Sequence, residues 1–177
     1  MTLPAAPFVL RPFRPSDAEE FGAAVRASPS VCTWMSWARP DFSADDARKW
    51  FAWCEESRAN GTAHEFAIVS ADGELVGGAG LNQFNPTHRF GNLGYWVRES
   101  AQRRGAASAA IHMLAQYAFE ELKLARAEIV VAVGNEASVA AARKAGALHE
   151  GVARNRLQLH GQPVDAHVLS LTPPAGR

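Results

Sequence analysis

The residues best placed to do chemistry lie between 93 and 110, LGYWVRESAQRRGAASAA. Leu93 to Val97 is a short apolar run of strand type. Arg98 to Arg104 is polar, and Gly105 to Ala110 is a run of Gly, Ala and Ser that opens a long helical pattern. The first-turn N–H groups of a helix have no partner inside it, and the macrodipole adds partial positive charge there. Gly105, Ala106 and Ala107 carry almost no side chain, so an anion can approach the backbone closely. Arg103 and Arg104 add charge. The ligand such a site suits is a pyrophosphate, although an Arg-rich loop that only caps a helix needs similar residues.

The surrounding elements must position this stretch. Phe8 to Pro12 reads as a first strand. Ser16-Asp17-Ala18-Glu19 has the form of a capping box and starts a helix through about Arg26. Residues 28–42 contain Pro and Ser-Pro breaks with Trp34 and Trp37, and read as a loop or broken helix. Ser43 with Asp46 caps a second helix with Ala47, Trp50, Phe51 and Cys54 at helical spacing; Trp50 and Trp53 read as core. His64 to Ala71 and Leu75 to Leu81 form an antiparallel hairpin around Asp72-Gly73. Gly77-Gly78-Ala79-Gly80 superficially resembles a dinucleotide loop, but Asn82 to Arg89 is turn-like and no helix follows. Closely packed backbone or a bulge is the better reading.

After the central strand, a helix runs to about Lys123 with Ala107, Ala110, Ile111, Leu114, Ala118 and Leu122 on one face. Glu128 to Val133 is a buried strand. Asn135 caps a helix ending at Gly146. Two strands, about Ala147 to Leu159 and Val164 to Leu171, close the chain. The pattern predicts an α/β (α+β) fold: a mixed, largely antiparallel central sheet of about seven strands flanked by about four helices. An exposed closing strand suits a homodimer.

Gln102-x-x-Gly105-x-Ala107 after the strand resembles the acyl-CoA loop of the GNAT superfamily, the acetyl-CoA-dependent N-acetyltransferases. Residues 135–147, NEASVAAARKAGA, resemble the family's second motif in Asn135, Lys144 and Gly146, with Ala147 replacing the usual Phe. Asn135-x-x-Ser138 is similar to the Rim type, which acetylates ribosomal-protein N-termini. The resemblance spans nearly the whole chain and implies one acetyltransferase domain over 1–177, with an acyl-CoA loop at 97–110, a second CoA motif at 128–147 and acceptor-side helices and loop at 16–60. It implies that acetyl-CoA is held by backbone N–H groups from Gln102 to Ala107, by Asn135 and by Lys144. It implies that the Val97 N–H polarises the thioester carbonyl and that Ser138 protonates the leaving thiolate. Asn135 would serve as an N-cap in any case, and Ser138 could bond back within its own helical turn.

The base is less defined. Leu157 stands where the Rim type has a Glu. Glu65, His64 and His88 are the side-chain candidates, Glu65 foremost; each also reads as a surface or strand-end residue. A water-relayed proton suffices for an α-amine, whose pKa of ~7.7–8.0 leaves roughly a tenth or more neutral at pH 7. Trp34 and Trp37 fall in the family's acceptor wall and suit an aromatic lid. Tyr95 and Trp96 alternate along the strand, so only one is expected to face the cleft; Tyr95 is the candidate acceptor contact. No Cys or Ser stands beside an obvious His/Asp pair, so direct attack by the amine is expected rather than an acyl-enzyme.

Composition sets the outer bounds. The 177 residues are 47% hydrophobic and 20% charged, with 18 Lys plus Arg against 18 Asp plus Glu. A net charge of zero argues against nucleic acid or an anionic membrane as the main partner and gives no steer toward ribosomes, which slightly favours a small amine as acceptor. Cys32 and Cys54 have no metal spacing, so no metal is expected. The N-terminus lacks a signal-peptide pattern, and no apolar run reaches ~18 residues, which together suggest the cytoplasm. The expected function is acetyl transfer to a primary amine, either a protein N-terminus or a small molecule. The alternative is a non-catalytic acyl-CoA-binding module of the same fold.

Overall fold

The computed structural model describes residues 2–5 and 7–174. The strands are β1 (Leu3–Ala5), β2 (Phe8–Arg11), β3 (His64–Ser70), β4 (Leu75–Asn85), β5 (Phe90–Val97), β6 (Arg126–Ala132), β7 (Leu148–Leu159) and β8 (Gln162–Leu171). The helices are α1 (Ala18–Arg26), α2 (Pro29–Trp34), α3 (Ala44–Ala59), α4 (Ala106–Glu120) and α5 (Glu136–Lys144). The expected mixed, largely antiparallel sheet is present. A short first strand and the short α2 bring the described totals to eight strands and five helices.

Strand order is β1-β2-β3-β4-β5-β6-β8-β7, and only β5–β6 is parallel. The last strand is therefore internal, and the exposed edge belongs to the penultimate strand β7. Alternation along the strands sends Phe66, Ile68, Leu81, Leu93 and Ile129 to one face, beneath α4 residues Ala110, Ile111 and Leu114. The other face carries Ala67, Val69 and Trp96 beneath α1 and α3 residues Phe21, Val25 and Phe51. Each face is apolar because each is roofed by helices.

Local signals explain most boundaries. Ser43 and Asp46 form the expected capping box of α3, with Asp46 N–H donating to Ser43 Oγ at 3.1 Å. The expected Ser16 box does not form. Asp17 is buried, pairs with Arg11 at 2.6 Å and accepts the Arg14 N–H at 2.8 Å, so a 3-10 turn over 15–17 precedes α1. The polar run 82–89 is less of a turn than expected. A bulge between Asn82 and Asn85, with Gln83 at φ 51°, keeps both strands paired, and His88 N–H caps onto Asn85 Oδ1 at 2.9 Å. Cys32 and Cys54 are free thiols.

Candidate active site

The site begins where the sheet splits. β5 pairs with β6 only from Phe90↔Arg126 to Asn92↔Glu128; β6 then continues with β8 as far as Ala132↔Ala166. From Leu93 onward the flank of β5 toward β6 is open. A Cβ at Gly77 would stand 2.1 Å from the Trp96 carbonyl oxygen, so that carbonyl points to β4. In a trans peptide the Val97 N–H must point the other way, into the notch. The adjacent Arg98 N–H donates to Val76 O on β4 at 2.8 Å, as the alternation requires.

The loop from 98 to 105 turns beside this notch. Gly105 is the N-cap of α4 at φ 88°, a left-handed conformation, and a Cβ added there would meet nothing within 4 Å. The first helical bond runs from Ala109 N–H to Gly105 O at 3.0 Å. The N–H groups of Ala106, Ala107 and Ser108 therefore have no helical acceptor and border open space, the arrangement a pyrophosphate needs. Gln102 differs from expectation. Its backbone N–H is taken by Glu99 O at 3.3 Å, whereas its side-chain Nε2 donates to Val97 O at 3.1 Å and to Ser30 Oγ at 3.0 Å. Gln102 thus fixes the end of β5 and ties it to α2. Arg103 and Lys144 border the same hollow, and Arg104 is exposed outside it.

Across the notch, Asn135 Oδ1 accepts the Ser138 N–H at 3.2 Å, capping α5, and Asn135 lines both cavities. Ser138 does not bond back into its helix. Its Oγ lies 2.8 Å from Tyr95 Oη, which is also 2.9 Å from Ser138 O. Burial pushes the Tyr95 hydroxyl pKa up, so it stays protonated as a donor.

Glu65 occupies the opposite face of the sheet. Its carboxylate lies over Gly80, where a Cβ would stand 1.9 Å from Oε2. Gly78 likewise makes room for the Trp96 indole, 2.7 Å from its missing Cβ. The glycine cluster within β4 is thus a close-packing device. Glu65 Oε1 accepts from Asn82 Nδ2 at 2.9 Å, and Asn82 Oδ1 accepts from Asn92 Nδ2 at 3.0 Å. Burial raises the Glu65 pKa, with the Asn82 bond and Arg58 opposing. His64 points to the other face, against Tyr117 at 3.0 Å, and His88 sits in the β4–β5 turn.

Two cavities, of about 950 and about 670 Å³, open on these groups. Trp34, Met35, Tyr95, Trp96, Asn135 and Ser138 line both. The larger contains Glu65 and Trp37; the smaller contains Val97, Gly105, Ala106 and Ala107. They meet at the notch, with Tyr95 and Ser138 at the boundary. This is also why Tyr95 and Trp96 both face the cleft although they occupy opposite faces of β5: the cleft passes through the sheet.

Residues 8–148 match the acetyltransferase (GNAT) domain family. The chain belongs to the GNAT acetyltransferases. It shares 33% identity over 166 residues with the candidate ribosomal N-acetyltransferase YdaF of Bacillus subtilis strain 168, spanning 92% of this chain and 89% of YdaF. It superimposes on a candidate ribosomal-protein-serine acetyltransferase of Vibrio cholerae with TM-score 0.87 and 30% identity, covering 98% of each chain. Mycobacterium smegmatis RimJ, solved in complex with a CoA-disulfide, gives TM-score 0.86 at 25% identity, covering 93% of this chain and 81% of RimJ. The chain is accordingly an N-acetyltransferase that uses acetyl-CoA and an amine.

Within this GNAT frame the structure gathers nearly every predicted site residue around the notch; Arg104, His64 and His88 lie outside it. It also adds residues. Trp53 is not core: it is 43% exposed and its ring stacks on Trp50 at 4.6 Å, whereas Trp50 is half-buried and packs against the core beneath α1 and α3 as expected; both line the larger cavity. Asp46, Lys49, Trp50 and Trp53 have helical i, i+3, i+4, i+7 spacing, a face distinct from the buried Ala47, Phe51 and Cys54. That second face was a readable signal. The Asn82–Asn92 link to Glu65 was not, because it depends on cross-strand register.

Proposed function

We propose that this acetyltransferase modifies the α-amine at a protein N-terminus, a ribosomal-protein terminus by its relatives' names, with Glu65, Val97, Tyr95 and Ser138 handling charge and protons. The observation that carries the reading is the meeting of the two cavities at Tyr95 and Ser138, with Val97 N–H directed into the same notch. Acetyl-CoA supplies an activated acyl carbonyl. The N–H groups of Ala106 to Ser108, with Arg103 and Lys144, hold its pyrophosphate end, and Asn135 borders its arm. Val97 N–H donates to the oxygen that gains charge as the amine adds to the carbonyl carbon. Glu65, raised by burial, takes the proton the nitrogen loses, directly or through a water. As the C–S bond breaks and sulfur keeps the electron pair, Ser138 Oγ–H gives its proton and draws on the Tyr95 hydroxyl 2.8 Å away.

An α-amine fits this equipment better than a lysine. At ~7.7–8.0 its pKa leaves a useful neutral fraction at pH 7, whereas a lysine near ~10.4 needs far stronger deprotonation. The larger cavity, about 950 Å³, has room for the first residues of a peptide. The test offers a peptide with a free N-terminus beside its N-blocked, lysine-containing twin, and reads the modified site by mass. Acetylation confined to the N-terminus is expected. Ser138→Ala should lower turnover by ~10²-fold or more with CoA affinity kept. Equal modification of the blocked peptide would overturn the α-amine assignment.

A further inference from the structure

We propose that the acceptor cleft is bipolar and selects amines that carry an acidic group a few residues or bonds behind the nitrogen. The proposal rests on reading the larger cavity as the acceptor site. Its charges are unevenly placed. Glu65, 9% exposed, is the anion at the floor, where an incoming ammonium must shed its proton. Lys49 and Arg156 are the exposed cations at the rim, and neither forms an ion pair among the described residues. The third cation, Arg39, is already engaged, with Nε 3.0 Å from Asp41 and an NH2 2.6 Å from Asp46.

The two free cations approach from opposite flanks. Lys49 projects from α3, which packs on β3, whereas Arg156 belongs to β7 at the far edge of the sheet. An extended chain advances about 3.3 Å per residue. With its terminal amine at Glu65, an acceptor runs its following residues out along the same cavity that Lys49 and Arg156 line. An aspartate or glutamate there finds a cation with no ion pair of its own among the described residues, because Asp46, which lines the same cavity, is held by Arg39, and a lysine or arginine there meets like charge. The chain's net charge of zero conceals this gradient, because 18 Lys plus Arg and 18 Asp plus Glu balance over the whole chain wherever they stand.

The experiment compares two peptides of equal length and identical N-terminal residue, one with aspartate and one with lysine at positions two to four. It adds two small primary amines, one bearing a carboxylate and one a second amine. For each, kcat/KM is measured at low and at high salt with saturating acetyl-CoA. The acidic acceptors should be favoured by about tenfold, the sum of two partly exposed ion pairs, and the preference should shrink as salt screens it. The double reversal K49E/R156E should invert the order, and the neutral K49Q/R156Q should erase it, both with acetyl-CoA affinity unchanged. Peptides turned over without regard to charge, or a preference indifferent to salt and to both variants, would overturn the bipolar cleft and leave the N-terminal acceptor standing. Inert peptides beside a carboxylated small amine that is preferred, with inversion by K49E/R156E, would support the cleft and overturn the protein acceptor.

Discussion

Glu65 illustrates how a single residue can be costly to the fold and useful to the reaction. Its carboxylate is pressed over Gly80 with one amide donor, and burial raises its pKa. The neutral form is the one the fold prefers. Its contribution to stability is therefore fully present below the ordinary carboxyl value of ~4.3 and is lost as pH rises through the raised folded value. Glu65→Gln removes that dependence. The variant should melt close to the wild type in mild acid and above it at pH 8, as read by calorimetry across pH. The same variant should lose ~10²-fold or more in kcat/KM and shed the lower limb of the pH–rate profile, leaving the limb of the amine itself. A melting difference without a rate loss would make Glu65 a structural carboxylate. The two departures from the family pattern are equally local. Ala147 is buried in the core beneath α4, and Leu157 lines the acceptor cavity, where it contributes surface and no charge.

At the level of elements, the N-terminal ends of α4 and α5 border the candidate site, and their signals are largely legible in the sequence. Asn135 caps α5 and Ser43 caps α3, each where its side chain had the nearest free N–H. Gly105 takes the left-handed cap before α4. Gln102 was recognised by its motif, but its task was not. The motif suggests a backbone donor, yet the structure uses the side-chain amide as a strut between Val97 O and Ser30 Oγ. The partner Ser30 is 72 residues away in sequence, and no local pattern announces it. Gln102→Met keeps the length and removes the donor. It should lower kcat/KM for the acceptor by about tenfold or more, because the Val97 peptide and the α2 wall lose their common anchor. Acetyl-CoA affinity measured by titration should barely move. A loss of cofactor affinity instead would return Gln102 to the pyrophosphate loop.

At the scale of the whole molecule, the two helical layers and the split sheet bring two cavities together at one notch, and the proposed function gives one to each substrate. A ligand of the native state at ~100 times its Kd adds ~2.7 kcal/mol, so acetyl-CoA should raise the melting temperature by about 5–10 °C. Gly105→Glu should abolish that shift, through a strained left-handed backbone and a negative charge at the phosphates. A retained shift would place the pyrophosphate elsewhere. No described helix is long and apolar enough to cross a membrane. The sequence by itself determined what depends on neighbours along the chain: strand and helix periods, the caps at Ser43 and Asn135, the small-residue turn at Gly105, and through these the family. Tertiary structure alone decided what depends on register and on the splay of β5 from β6. It put Tyr95 on Ser138, set Asn92 behind Asn82 and Glu65, and let both faces of one strand meet the same cleft. Those contacts join residues 10 to 43 positions apart in sequence, as with Asn92–Asn82 and Tyr95–Ser138. Their side chains meet only once strand pairing has fixed which atoms stand opposite one another.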